Sequence, residues 1–506
     1  MARVHEVLII GSGFGGSIAA ARLAEAGVDV TLLERGPWRD TLPVQSMGIG
    51  NRIRYPAGMQ LYTRGLRRVH GRWLPRQGLG LSRYGLFEIH AAGDVTTLCA
   101  SGVGGGSHVY TALNDKPRVA NYWDGHHADV SSAALEPHYQ RVMEEMGGRP
   151  PRLEDAIPNL TAQRYRESPL FDASVTLERP SHAVQFPATP GTSREIDWGE
   201  GIRRREADWK DGGLLGSRFG TKTTLDFAFL APAMRRGLRV LDLHEAISVH
   251  LCRQTHTARY CVQTRNLYTG RIEPFYAQHV MLAAGTMNTL RLLLASRDEA
   301  RGLDGMPALG RRFGTNGDAV AWWSLDDAEA DYSRGLPCHG VIAPRDGQRP
   351  DDPMLIEVGL VGIDGMPMPG PLRRKLRRGL MLLAMGADQA DGRVRLQKGR
   401  LRVRYDRDAS PVFQRAEQIF RAVADASGQK VRVRRKPFTV HPFGGATLGA
   451  NDSAGVIDGR GQIYGFPGLF VVDAAALPAA PGGPPSMTIA AWSSWVAARF
   501  LEEARA

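Results

Sequence analysis

The chain has 506 residues, 43% of them apolar and 23% charged, with 59 glycines, enough for two lobes around a buried site and incompatible with a disulfide mini-protein, a fibrous repeat or a disordered tail. Its 64 Lys+Arg against 52 Asp+Glu leave a net charge of +12, but the arginines are scattered and no recognisable module accompanies them, so no nucleic-acid partner is expected. Cys99, Cys252, Cys261 and Cys338 lie far apart without a CxxC, which offers neither a zinc cluster nor a dithiol motif and makes a reducing compartment the default.

The amino terminus carries no signal-like lead and enters the apolar run Val7-Leu8-Ile9-Ile10, the pattern of a parallel strand buried on both faces. Gly11-Ser12-Gly13-Phe14-Gly15-Gly16 follows. In this GxGxxG, Gly11 permits the tight turn, Gly13 lets a pyrophosphate approach the backbone, and Gly16 lets the next helix press on the strand. That helix runs to Ala26 with its free N–H groups toward the phosphates, and Gly27 stops it. A second strand, Val28 to Leu33, ends in Glu34, eighteen residues beyond Gly16. A carboxylate there accepts ribose hydroxyls and selects an unphosphorylated ribose, hence FAD or NAD.

Ser101-Gly102-Val103-Gly104-Gly105-Gly106-Ser107 leaves little side chain between backbone and a planar ring or phosphate laid against it. Trp123 to Asp129 holds the neighbours His126 and His127, which normally point apart; the segment reads as a surface loop, and no metal is expected. Two alternating segments, Val240 to Leu251 and Ala258 to Leu267, read as an antiparallel hairpin, and Val280 to Ala284, closed by Gly285, as another buried strand. Glu357 is a lone carboxylate in an apolar strand, where burial penalises its charged form unless a partner is supplied. The basic runs Arg64 to Arg68 and Arg373 to Arg378, the former followed by Trp73, Tyr84 and Phe87, read either as solvated surface or as a peripheral contact with an anionic membrane. The longest internal apolar run, Gly379 to Ala387, is far below the roughly 20 residues that span a bilayer. A cytoplasmic protein, at most peripheral to a membrane, is expected.

The carboxy-terminal part holds the densest chemistry. His441-Pro442-Phe443-Gly444-Gly445 sets an imidazole on a stiffened turn, and an imidazole can accept an alcohol proton near neutral pH. Gly468 to Asp473 is a strand with a carboxylate at its end. Pro484-Pro485-Ser486-Met487-Thr488 leads into an apolar helix, Ile489 to Leu501, with Ser486 or Thr488 as cap. The amino-terminal dipole of so apolar a helix should face inward, toward negative charge developing on a bound ring.

In this order these segments resemble the glucose–methanol–choline (GMC) family of FAD oxidoreductases, most closely its cholesterol oxidase branch. Gly102 to Ser107 and His441 to Gly445 carry the resemblance most specifically, beside the fingerprint, Leu282 to Gly285, Asn316-Gly317, Asp473 and the Thr488 helix. The resemblance implies an α/β fold: a discontinuous Rossmann-like FAD-binding domain (1–120, 215–318 and 440–506) and a substrate-binding domain of mainly antiparallel β-sheet plus helices (121–214 and 319–439). FAD would be held by Gly11, Gly13, Phe14, Gly15, Gly16, Glu34, Arg35, Gly102, Val103, Gly104, Gly106, Ser107, Ala284, Gly285, Asp473, Thr488 and Ile489. It would take hydride at flavin N5 from the CH–OH group of a bulky apolar, sterol-like alcohol and pass electrons to O2 or another acceptor. His441 would position or deprotonate the hydroxyl, and Glu357 would act as base for moving a double bond.

The sequence also departs from that pattern. Pro484 stands where the family has Asn or His, and proline offers no side-chain hydrogen bond. His108 and Tyr110 replace less bulky residues after the glycine-rich loop and become candidate donors beside the ring. These departures keep two further readings open: a redox-neutral flavoprotein isomerase or lyase on the same scaffold, and a flavin-binding protein without catalysis.

Overall fold

A computed structural model describes residues 3–160, 175–252, 257–298, 302–325, 329–344 and 352–505. The opening strand Val4–Ile10 is parallel to Val30–Leu33 on one side and to Ile272–Leu282 on the other. Arg239–Leu241 extends the sheet beyond Val30–Leu33, and Leu469–Val471 lies parallel to the end of Ile272–Leu282. The first half of that long strand pairs instead with Tyr260–Asn266, which pairs with His244–Leu251, both antiparallel. Seven strands from three separated stretches thus form one Rossmann-like sheet. Val7, Leu8, Ile9, Val280, Met281 and Leu282 have no exposed surface, as strands covered on both faces require.

Helix Phe14–Glu25 packs against the sheet and against the last helix, Ser486–Arg505, which also contacts Ser132–Met146. Small residues permit this closeness: a Cβ on Gly15 would stand 2.1 Å from the Val472 carbonyl oxygen, and one on Gly16 would stand 1.9 Å from that of Gly11. The last helix starts three residues earlier than the apolar pattern suggested, because Pro485 already accepts its first backbone bond from Ile489 N (2.9 Å). The second strand starts two residues later than expected, after the left-handed turn at Gly27 (φ +83°).

A second sheet runs in the order Lys430–Val433, Ala319–Ser324, Gly379–Met385, Met354–Val358, Cys338–Pro344, Val175–Glu178, antiparallel throughout. Both faces are covered. Leu355, Leu380, Leu382 and Trp323 belong to the main core, whereas Ile356, Val358, Leu383 and Met385 cluster with Leu113. The apolar run near residue 380 is therefore a central strand. Among the described residues, no helix is long and apolar enough to cross a membrane.

A third sheet of five strands joins Leu66–Gly71, Leu79–Gly80, Phe87–Ala91 and Thr96–Ala100 to the two residues Phe438–Thr439. Phe438 and Thr439 pair in parallel with Thr96 and Thr97. This short ladder brings the turn carrying His441 beside the strand that feeds the glycine-rich loop.

Candidate active site

A cavity of about 670 Å³ runs from the Gly11–Gly15 loop to the inner face of the second sheet. Its wall includes Gly11, Gly13, Phe14, Gly15, Glu34 and Arg35 from the fingerprint, and Gly105, Gly106 and Tyr110 from the glycine-rich loop. Ala284, Gly285 and Asp473 come from strand ends, His441 from its turn, Pro484 and Pro485 from the approach to the final helix, and Ser486 and Ile489 from its first turn. Ile356, Val358, Met381, Leu383 and Met385 supply an apolar wall.

The fingerprint loop is built to receive a phosphate. A Cβ on Gly13 would meet nothing within 4 Å, so its open side is space, whereas one on Gly11 (φ +104°) would stand 2.2 Å from the Ala283 carbonyl oxygen. Glu34 is held at the end of its strand: Oε2 accepts from Ser12 N (3.1 Å) and Ser12 Oγ (2.7 Å), and Oε1 accepts from Gly36 N (2.8 Å). Arg35 pairs with buried Glu88 and donates to Asn288 Oδ1 (3.2 Å). Burial lowers its pKa, but Glu88 and Glu245 outweigh that and hold it above the usual arginine value. Asp473 accepts from Gly285 N (2.8 Å), Thr289 Oγ1 (2.5 Å) and Ala475 N (2.9 Å), tying the end of its own strand to the end of Ile272–Leu282 and the helix that follows it. Burial raises its pKa to about 6. An open glycine, an oriented carboxylate and a glycine-lined channel fit FAD.

Gly16, Gly102, Val103, Gly104, Ser107 and Thr488 stand behind this wall and shape it. Ser107 Oγ donates to Gly104 O (2.7 Å) and accepts from Leu225 N (3.1 Å), while Gly104 N donates to Ser12 Oγ (3.1 Å).

His441 has a partner that sequence reasoning missed. Its Nδ1 lies 3.0 and 3.1 Å from the two carboxylate oxygens of Asp318. Asp318 Oδ2 also accepts from Thr439 Oγ1 (2.7 Å) and Val440 N (3.1 Å), and Thr439 Oγ1 accepts from His441 N (2.8 Å). An Nδ1–H directed at a carboxylate leaves Nε2 with its lone pair, the form of a general base. Asn316, two residues earlier, takes a left-handed conformation (φ +57°). It donates through Nδ2 to Gly483 O (2.9 Å) and accepts at Oδ1 from Gly482 N (3.0 Å). One turn therefore holds both the histidine and the loop leading to Pro484. The signal was a carboxylate one residue past Asn316-Gly317, in a segment already singled out.

Three other candidates stand differently from expectation. Glu357 is buried, but strand alternation puts its neighbours Ile356 and Val358 on the cavity wall and leaves Glu357 off it. His108 is wholly buried behind the wall, its Nδ1 2.7 Å from Tyr55 Oη and its Nε2 hydrogen-bonded to Val103 O; both ring nitrogens are spent on the scaffold. Tyr110 does line the cavity, but its hydroxyl donates to Thr223 O (2.7 Å), so it offers a ring face, set edge-on to Phe14 at 5.7 Å.

A nucleotide-binding sheet, a histidine backed by a carboxylate and an apolar wall meet on one cavity, the arrangement of an FAD-dependent oxidoreductase of the alcohol oxidase or dehydrogenase kind. Residues 388–493 match the GMC oxidoreductase family, and residues 9–38 match the NAD(P)-binding Rossmann-like domain. The chain is similar to a cholesterol oxidase of Mycobacterium tuberculosis strain H37Rv, 26% identical over 96% of this chain and 89% of the relative. It is also similar to a long-chain-alcohol oxidase of Arabidopsis thaliana, 21% identical over 98% and 67%. Among solved structures, a fungal aryl-alcohol oxidase shares the fold with a TM-score of 0.59, at 13% identity and full coverage of both chains. The carboxy-terminal part of the chain is thus similar to GMC oxidoreductases.

Proposed function

We propose that the protein oxidises the CH–OH group of a bulky apolar alcohol. The carrying observation is that His441, backed by the Asp318 carboxylate, opens on a cavity walled by Ile356, Val358, Met381, Leu383 and Met385. Such a wall favours apolar over sugar-like substrates, since a polyol would leave its hydroxyls unpaired there. The names of the relatives, a sterol, a long-chain-alcohol and an aryl-alcohol oxidase, support the same class.

FAD, when bound, supplies the acceptor for the hydride. The chain would hold it through Gly11 to Gly15 at the pyrophosphate, Glu34 at the ribose, and Gly105, Gly106, Asp473 and Ile489 farther along. His441 Nε2 takes the hydroxyl proton, and Asp318 stabilises the imidazolium that results. The wall excludes water from the carbon that loses hydride.

Anaerobic mixing of FAD-loaded protein with a sterol, a long-chain primary alcohol and an aryl alcohol tests this. Bleaching of the flavin band by at least one of them is expected, with reoxidation by O2 or an artificial acceptor. Product formed without bleaching would transfer the assignment to a redox-neutral isomerase or lyase, and neither would remove the enzymatic reading.

We also propose a peripheral membrane contact through helix Gly370–Arg377, which is basic and carries exposed Leu372. Exposed Tyr62 adjoins it, donating to Pro367 O (2.8 Å). Co-sedimentation with anionic vesicles at low salt is the expected result, and its absence would remove the contact.

A further inference from the structure

Several of the polar groups that meet the cavity are committed to the protein. Ser12 Oγ donates to Glu34, Tyr110 Oη to Thr223 O, and Thr286 Oγ1 to Pro442 O. Among the described residues lining the cavity, Ser486 is the one whose buried side-chain oxygen has no hydrogen-bond partner. Its residue is 8% exposed. A hydroxyl withdrawn from water and left unbonded is a cost that proteins seldom leave standing, so it marks a partner supplied by whatever fills the cavity.

The local backbone says what kind of partner. Pro485 O accepts from Ile489 N, which makes Pro485 the capping residue of the 20-residue helix Ser486–Arg505. A proline cap brings no side-chain oxygen to the first-turn amides, and those of Ser486, Met487 and Thr488 have no intrahelical acceptor. The helix therefore presents its positive end, unneutralised, beside a free hydroxyl. Both favour an oxygen that accepts hydrogen bonds and gains negative charge. An alcohol hydroxyl must instead give up its proton, and His441 serves that need.

We propose that Ser486 Oγ donates a hydrogen bond to a carbonyl oxygen of the flavin ring, supplying from the first turn of the helix the polar contact that Pro484 cannot make. This rests on the reading of the cavity as an FAD site. Its consequence is electronic: the bond strengthens as the ring is reduced, so Ser486 raises the affinity for reduced over oxidised cofactor.

The test compares wild-type, Ser486→Ala, Ser486→Gly and Ser486→Thr proteins loaded with FAD, by spectroelectrochemical titration without substrate. Loss of the hydroxyl should lower the midpoint potential by about 30 mV, the two-electron equivalent of a tenfold loss in preference for the reduced ring. It should also shift the visible flavin band. Threonine should restore both. Two independent truncations guard against one that fails to fold, and the FAD-to-protein ratio is read for each. An unchanged potential in yellow, folded variants overturns the proposal, whether the KM for the alcohol moves, assigning the hydroxyl to substrate, or nothing moves. Wild-type protein that cannot be loaded with FAD would instead overturn the underlying reading.

Discussion

The Nδ1 atom of His441 sits 3.0 Å from Oδ1 of Asp318, a carboxylate entirely withdrawn from solvent, while the imidazole itself keeps 18% of its side-chain surface exposed toward the cavity. A buried anion behind a half-open imidazole fixes one tautomer and offsets the charge the ring acquires on accepting a proton. Replacing Asp318 by Asn keeps the volume but lets the amide present either an acceptor or a donor to Nδ1. Asp318→Asn should therefore slow anaerobic flavin reduction by about 10²-fold or more, with FAD binding retained. Combined with His441→Ala, it should add little beyond the histidine change alone, because the two groups act as a unit. Stopped-flow single turnovers of the two single variants and the double variant measure both effects; additive losses would separate the residues functionally.

Glu357 provides the opposite expectation. It lies on the strand Met354–Val358, but the residues facing the cavity are its neighbours on either side. Glu357→Gln should leave the rate of flavin reduction within a factor of about three while lowering the melting temperature, since its carboxylate is buried within the sheet. A large loss of turnover at unchanged stability would return Glu357 to the chemistry.

The contrast between these acids shows what one sequence makes legible. The Gly11–Gly16 turn, Glu34 and the His441 turn announce themselves because their chemistry is local: spacing along the chain fixes spacing in space. Glu357 and His108 are residues of the right type in the right neighbourhood, yet their roles depend on which face of a strand or loop meets the cavity. That is settled by partners far away, Leu382 opposite Glu357 and Tyr55 against His108. Asp318 is the converse case. It lies 123 positions from His441, and the two are brought together by long-range contacts: the antiparallel pairing of Phe313–Gly314 with Phe443–Gly444 and the Thr439 hydroxyl bonded to Asp318. The overall α/β organisation was readable from strand periodicities, but the five-stranded sheet containing Leu66–Gly71 was not, because its strands are short and half-buried.

Glycines of the fingerprint should separate folding from cofactor binding. A methyl group at Gly13 has open space around it and the backbone there is extended (φ −71°, ψ −167°), whereas one at Gly16 would collide with the Gly11 carbonyl oxygen. Gly13→Ala should fold with near-native stability and bind FAD at least tenfold more weakly, since the methyl fills the approach of the pyrophosphate. Gly16→Ala should lose stability, by about 2–4 kcal/mol, through backbone that cannot move apart. Urea unfolding and FAD titration of the two apoproteins distinguish the effects, and similar behaviour in both assays would contradict this division.

Lys222 is expected to act on the site from behind the wall. Its fully buried ammonium donates to the carbonyls of His108 (3.0 Å), Tyr110 (2.9 Å) and Gly213 (3.0 Å), pinning the end of the glycine-rich loop to a distant segment. Lys222→Met preserves the aliphatic bulk and strands three buried acceptors, at a cost of about 2–4 kcal/mol. Because Tyr110 borders the cavity, FAD affinity should fall together with the melting temperature. A variant that loses stability and keeps wild-type affinity would show that the loop is held by its glycine contacts alone.

The acid sensitivity of the fold should trace to Glu245. Burial pushes this carboxyl up, but Arg67, Arg68 and Arg35 outweigh burial and hold it at about 2, with Arg68 Nη1 at 2.8 Å from Oε1. Its ordinary value is 4.5, so the unfolded chain takes up the proton first as pH falls. The stabilisation is therefore complete above about pH 4.5 and drains away between pH 4.5 and 2, by at most about 3 kcal/mol. Glu88, held well below its ordinary value by Arg35 against the same opposing burial, carries the same sign. Asp473 carries the opposite one: its ionisation is disfavoured in the folded state, so its contribution improves as pH drops through 6. Comparing wild type with Glu245→Gln cancels the other groups, because only the substituted carboxyl differs. The stability gap between them in urea should be widest at pH 6 and narrow steadily toward pH 3. Parallel curves across that range would mean that the three guanidinium groups are already neutralised by other partners and that Glu245 titrates alike in the folded and unfolded chains.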